Sequence, residues 1–175
     1  FFFFIIAFHS FYDFVFESGK ITYDKDDDTG HGTHVAGIVT AVNNNGIGIC
    51  GIAGGSGKRD GVRFMSLQIM SGDSHASDTD VARALQYAAD NGAHILQCSW
   101  GYPSAESAEG YGYAPGNDKS FKYSCSYEAE AIDYFIANGG TKDGPIDGGV
   151  AIFAAGNSTA PLPAYPAAYE PCIAV

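Results

Sequence analysis

The stretch SDTDVARALQYAADNGAHILQCSWG, residues 77–101, reads as a helix followed directly by a strand and a polar cluster. Ser77 and Asp78 offer side-chain oxygens to the free N–H groups of a first helical turn. Val81, Ala84, Leu85 and Ala88 recur at the spacing of one helical face, and Gly92 closes the helix. His94 to Cys98 is then the strand. Outward from this pair the same alternation repeats. Val62 to Ile69 is a strand-length apolar run before it. A helix is expected near Ser126 to Asn138, with Ile132, Phe135 and Ile136 inward. Val150 to Ala155 is a continuous apolar strand, and Cys172 to Val175 is another. Nearer the start, His31, Val35, Ile38, Val39 and Val42 keep helical spacing until Asn43-Asn44-Asn45-Gly46. Phe11 to Phe16 and the initial FFFFIIAF read as strands, and residues 17–29 as an acidic loop. Residues 102–124, rich in Gly, Ser, Tyr and Pro, read as a surface excursion. Strand and helix in alternation predict an α/β fold with a parallel sheet covered by helices.

Composition sets the outer limits. At 175 residues the chain fits one domain, with 46% hydrophobic and 17% charged residues. Nine Lys and Arg against twenty Asp and Glu leave a net charge of −11. That balance excludes nucleic acid as the main partner, because phosphate binding needs a basic face. No apolar run reaches membrane-spanning length. FFFFIIAF lacks the basic residue and the cleavage site of a signal peptide, and its four phenylalanines suggest a cut or altered end. Cys50, Cys98, Cys125 and Cys172 form no C-x-x-C pair; two disulfides and four thiols both remain open. No internal repeat is present.

In parallel α/β sheets, ligands gather beyond the carboxyl ends of the strands. Two polar clusters fall there: Ser99-Trp100-Gly101 and Gly156-Asn157-Ser158. A third polar feature, the His31-Gly32-Thr33-His34 tetrad, opens a helix. Its two histidines have three readings. They can be structural, at a tight helix entry. They can bind a metal, but H-E-x-x-H and a third ligand are absent. Or one can be the general base for an acyl-transfer nucleophile. Two decoys fall away. DKDDDT (24–29) has Thr29 and Val35 where a calcium-binding loop needs Gly and Glu. GGSGKR (54–59) has Ile52 and Arg59 where a phosphate loop needs Gly and Ser or Thr.

HGTHVAGIVTA (31–41) closely resembles the histidine motif of the subtilisin-like serine peptidases, or subtilases. SWG (99–101), VAIFAAGNS (150–158) and YPAAYEPCIAV (165–175) resemble, in order, the family's substrate-binding strand end, its oxyanion-asparagine motif and the strand that follows. The resemblance implies a three-layer, mostly parallel sheet flanked by helices, incomplete at both ends, with residues 1–175 forming part of a catalytic domain. It implies His31 as catalytic base, His34 as a structural position, and Asn157 as oxyanion donor. Ser99, Trp100 and Gly101 would pair with a protein or peptide substrate in extended conformation.

The family's triad runs Asp, His, Ser. Its aspartate tripeptide, Asp-[Ser/Thr]-Gly, should follow an apolar strand well before His31, and none does so here. Asp13 matches a position downstream of that aspartate, and Asp24 to Asp28 lie too near His31. Gly-Thr-Ser-Met-Ala, the nucleophile motif, is not in the sequence. The expected function is therefore a serine endopeptidase domain whose present part is inactive alone, its partners including the missing segments of the same domain. The alternative is a non-catalytic peptide-binding or scaffold remnant. No cofactor is required for the chemistry. VNNNGIGI (42–49) resembles the family's calcium loop, which implies structural Ca²⁺ held near Val42, Asn44, Ile47 and Ile49. A secreted or cell-surface location follows from the resemblance alone.

Overall fold

The structure, a computed structural model, describes residues 2–5, 11–23, 29–58, 60–102, 117–157, 159 and 163–175. The acidic stretch 24–28, residues 103–116 of the expected excursion, and Ser158 lie outside the described residues. In chain order the elements are β1 (Phe2–Ile5), β2 (Phe11–Asp13), α1 (His31–Thr40), β3 (Phe64–Gln68), β4 (Met70–Ser71) and β5 (Ser74–His75). They continue with α2 (Asp78–Asp90), β6 (Ile95–Cys98), α3 (Asp118–Ser124), α4 (Ser126–Asn138), β7 (Val150–Phe153) and β8 (Ile173–Ala174).

Six strands form one sheet in the order β2-β3-β1-β6-β7-β8, while β4 and β5 make a small antiparallel ribbon that the sequence did not signal. β2 runs parallel to β3, and β6, β7 and β8 run parallel to one another. β1 lies between β3 and β6 and runs antiparallel to both. The sheet is thus mostly parallel, with one reversed strand. Phe-Phe-Phe-Ile specifies an apolar strand but carries no signal for its direction, and antiparallel pairing satisfies its backbone groups on both edges. The apolar runs at 62–69 and 94–98 are consequently separated by one strand. Those at 94–98 and 150–155 are direct neighbours, with Leu96 opposite Ala151 and Cys98 opposite Phe153.

The core lies beneath α2 and α4, which pack on each other, with α4 also against β7. Leu96, Cys98, Ala151 and Phe153 point into it and are fully buried, while Ile95, Gln97, Val150 and Ile152 on the alternate face are half-buried. The face predicted for α2 is buried at Val81, Ala84, Leu85 and Ala88. Ser77 caps the helix by accepting the Asp80 N–H. Ile132 and Phe135 of α4 have no exposed surface. Each such side chain contributes about 1.5–3 kcal/mol through removal from water.

Two expectations need correction. The strand expected to reach Phe16 stops at Asp13, because Asp13 Oδ1 accepts the N–H groups of Val15 (2.8 Å) and Phe16 (3.1 Å) and bends the chain. Phe14 therefore turns into the core against Tyr12 and Tyr87. The excursion expected over 102–124 ends in a helix, α3, whose Phe121 is fully buried between Tyr165 and Tyr169. His34, assigned a structural position by resemblance, is exposed. The 54–59 loop closes on itself: Asp60 accepts both the N–H and the hydroxyl of Ser56, each at 2.8 Å. Gly54 is required there, since a Cβ would stand 1.7 Å from the Ala41 carbonyl oxygen.

Candidate active site

β6 and β7 end side by side, and the Ala154 N–H donates to the Cys98 carbonyl at 2.9 Å. Beyond that bond, Ser99-Trp100-Gly101 continues one strand and Ala154 to Asn157 the other. A third stretch, residues 163–175, ties the two together. Ala164 N–H donates to Ala155 O (2.9 Å), and Tyr102 N–H donates to Tyr165 O (2.6 Å). Glycine makes the approach feasible at two points. A Cβ on Gly101 would meet Tyr165 O at 3.0 Å, and Gly156 holds a φ of 103° that other residues rarely adopt. Trp100 is half-buried, edge-on to Phe153 (5.5 Å) and Tyr102 (6.0 Å). Ser99 Oγ accepts from Gln97 Nε2 at 3.0 Å, and Gly101 is exposed.

Asn157 is exposed at the end of the second stretch. Positive φ in this turn falls on Gly156 (103°) and Thr159 (55°), and no hydrogen bond among the described residues holds the Asn157 side chain. His31 is the first residue of α1, entered through Gly30 at φ 68°. Its N–H donates to Thr29 Oγ1 at 3.3 Å. Partial burial, with nearby positive charge including His34 adding, holds the imidazole below the ordinary histidine value. The lowered value favours the neutral imidazole. α1 packs against β1. No hydrogen bond among the described residues links His31 to Asn157, to Ser99–Gly101 or to a carboxylate. Asp13 is fully buried and committed, its Oδ2 accepting from Thr22 Oγ1 at 3.0 Å. Asp28-Thr29-Gly30 spells the aspartate tripeptide but adjoins His31 directly, and Asp28 lies outside the described residues.

Sequence reasoning passed over two residues beside the strand ends. Glu128, in the first turn of α4, is 1% exposed and accepts from the Tyr102 hydroxyl at 3.0 Å through Oε2. Its Oε1 has no partner among the described residues. Burial pushes this carboxyl up to about 8, and Asp78 adds to the shift against the opposing Tyr102 hydrogen bond. A signal existed: Glu128 lies on the stripe of Ile132 and Phe135. In the expected calcium loop, Asn44 is exposed with φ 58°, and Asn45 Oδ1 accepts the Ile47 N–H at 2.9 Å. Asn43 Oδ1, not predicted, is a buried oxygen there without a partner among the described residues.

Residues 7–175 match the sequence profile of the subtilase family, Peptidase S8. The chain belongs to the subtilase family. A thermophilic serine proteinase of Bacillus sp. (strain AK1) is 30% identical over 94% of this chain and 31% of its own length. Thermitase of Thermoactinomyces vulgaris is 30% identical over 83% of this subtilase chain and 40% of its own length. The solved structure of sphericase superposes with a TM-score of 0.59 at 25% identity, covering 93% of this chain and 44% of sphericase. The chain thus spans less than half the length of each. Its α/β architecture is the subtilisin-like one. Among the described residues, no helix is long and apolar enough to cross a membrane.

Proposed function

We propose that this chain is the central part of a serine endopeptidase domain that hydrolyses peptide bonds by acyl transfer. In this reading His31 takes the proton from the nucleophilic serine and returns it to the leaving amine. Asn157 donates to the oxyanion, and Ser99–Gly101 pairs with an extended protein or peptide substrate. The observation that supports it best is the pairing of β6 with β7, which sets the Ser99–Gly101 edge and the Asn157 amide, without a hydrogen bond among the described residues, beyond adjacent strand ends. An asparagine serving only the turn would hold the left-handed backbone or cap a neighbour. Here the positive φ values fall on Gly156 and Thr159 instead.

The orienting aspartate and the nucleophile would come from segments outside these 175 residues, so the chain alone would have no useful activity. The experiment compares it with a domain completed by the corresponding segments of thermitase, on a fluorogenic peptide. Hydrolysis by the completed domain, blocked by a serine-directed inhibitor, is the expected result. Hydrolysis by the chain alone would mean that a nucleophile has been overlooked. Secretion or cell-surface display would suit such an enzyme.

Calcium fits the 42–49 loop only in part. Asn43 Oδ1 and the carbonyls of Val42, Ile47 and Ile49 would be the donors, short of the six to eight oxygens calcium takes. Any contribution would be to stability, and a melting temperature unchanged by chelator would remove it.

A further inference from the structure

One short turn reaches both stretches that continue β6 and β7. Ala168 N–H donates to Ala164 O and Tyr169 N–H to Pro166 O, each at 2.9 Å, so residues 164–169 close on themselves. From this turn Tyr165 O receives the Tyr102 N–H at 2.6 Å, directly after Ser99-Trp100-Gly101, and Ala164 N–H donates to Ala155 O at 2.9 Å. The turn therefore ties the two stretches to each other. Its own place is set by α3. Tyr165 is 8% exposed, with its ring 5.0 Å from that of Phe121. Apolar packing is non-directional and does not fix the ring lengthwise. The hydroxyl does, donating to Asp118 Oδ1 at 2.7 Å, a short distance of the kind a hydroxyl keeps to a carboxylate. Asp118 Oδ2 accepts the Glu170 N–H at 3.3 Å, so one carboxylate takes hold of both ends of the turn.

We propose that Asp118 is a positioning residue for the peptide-docking edge, acting through the Tyr165 hydroxyl on the Tyr165 carbonyl that holds Tyr102. The inference rests on reading Ser99–Gly101 as that edge. Strand-to-strand pairing with a peptide needs the edge backbone at a fixed place, because main-chain hydrogen bonds are directional. Without Asp118 the Tyr165 ring and carbonyl shift together, and the Tyr102 N–H loses its acceptor for part of the time. Tyr102 then keeps its bond to Glu128 at 3.0 Å, which holds the side chain and not the backbone. Asp133 of α4 anchors the same turn elsewhere, through the Tyr169 hydroxyl at 2.8 and 3.0 Å, and bypasses Tyr165.

Amide hydrogen exchange, followed residue by residue in the 175-residue chain, tests the route. The Tyr102 N–H should exchange roughly tenfold faster in Asp118→Ala and in Tyr165→Phe, as for the loss of one hydrogen bond to a charged group. The two substitutions together should be no faster than either alone, since they break the same bond. The Ala154 N–H, bonded to Cys98 O at 2.9 Å, should be unchanged. Tyr169→Phe removes a comparable bond from the same turn without touching Tyr165, and should leave Tyr102 protected. Tyr165→Phe keeps a ring against Phe121, so the test stays decisive if Asp118→Ala does not fold. Unchanged Tyr102 exchange, additive effects in the double variant, or equal acceleration by Tyr169→Phe would overturn the route through Asp118. In the completed domain Asp118→Ala should raise KM several-fold with kcat nearly unchanged, because the edge grips the peptide equally before and during reaction. Asp118→Asn keeps an acceptor for the Tyr165 hydroxyl and should recover most of that loss. A fall in kcat at constant KM, or no recovery in Asp118→Asn, would overturn the positioning role. Absence of any hydrolysis would instead count against the peptidase reading and leave the exchange result standing.

Discussion

α1 and α4 pack against the same sheet, and they are held in opposite ways. α4 buries Glu128, Ala129, Ala131, Ile132 and Phe135, whereas α1 buries only Gly32 and leaves Ile38 46% exposed. The carboxyl end of α1 is fixed through its backbone. Ile52 N–H donates to Ile38 O at 2.8 Å, and Ala53 N–H to Val39 O at 2.9 Å. The 51–54 stretch can come that close because Gly51 and Gly54 have no side chains. One half of the molecule is therefore a scaffold made of side chains. The other presents a histidine on a helix whose side chains carry little of the stability. Substitutions should separate the two halves cleanly.

The largest effect belongs to His31. In the completed domain, His31→Ala should lower kcat by roughly 10⁶-fold, as removal of a triad histidine does in a subtilisin. Its unfolding free energy should change little. The opposite pattern is expected of Phe135→Ala, with a loss of about 3–5 kcal/mol in urea unfolding from the cavity left in the core. Comparable destabilisation by both variants would break the contrast. Asn157→Ala should lower kcat by roughly 10²–10³ with KM nearly unchanged. A variant that lost stability and kept kcat would return Asn157 to a turn-forming role.

Glu128 joins the halves, since it belongs to the scaffold yet touches the edge. Its folded-state value, about 8, lies above the ordinary 4.5, so the folded protein keeps a proton that the unfolded chain releases. Stability from this group is full below the ordinary carboxylate range, falls as pH rises, and is gone above about 8. Glu128→Gln should flatten that part of the slope in urea midpoints taken between about pH 5 and about pH 9. The smallest effect is expected for Ile38→Ala, within about 1 kcal/mol in the same unfolding measurement, because its side chain is half in water already.

Legibility followed the range of the interaction. α2 could be read closely because its cap, its stripe at Val81, Ala84, Leu85 and Ala88, and its closing glycine all lie within 16 residues of sequence. The neighbouring ends of β6 and β7 followed from α/β order. α3 was missed because Phe121 is its single buried residue, although Asn117, whose Oδ1 accepts the Ser120 N–H at 3.0 Å, was a readable cap. The direction of β1 had no local signal at all. The Tyr102–Glu128 bond spans 26 residues between a strand end and a helix, and no periodicity reports such a pair. His31 and Asn157 were legible through the family's motifs rather than through spacing. The histidine tetrad alone left structural and metal readings open.

The account's central claim is that His31 and Asn157 serve one reacting carbon from separate elements. It is tested most directly by a crystal structure of the completed domain with a peptidyl boronate bound as a tetrahedral adduct. The account predicts the Asn157 amide nitrogen and the His31 imidazole each about 3 Å from an oxygen of that adduct, with the peptide paired along Ser99–Gly101. An adduct seated with Asn157 turned away, or with His31 out of hydrogen-bond reach, would contradict it.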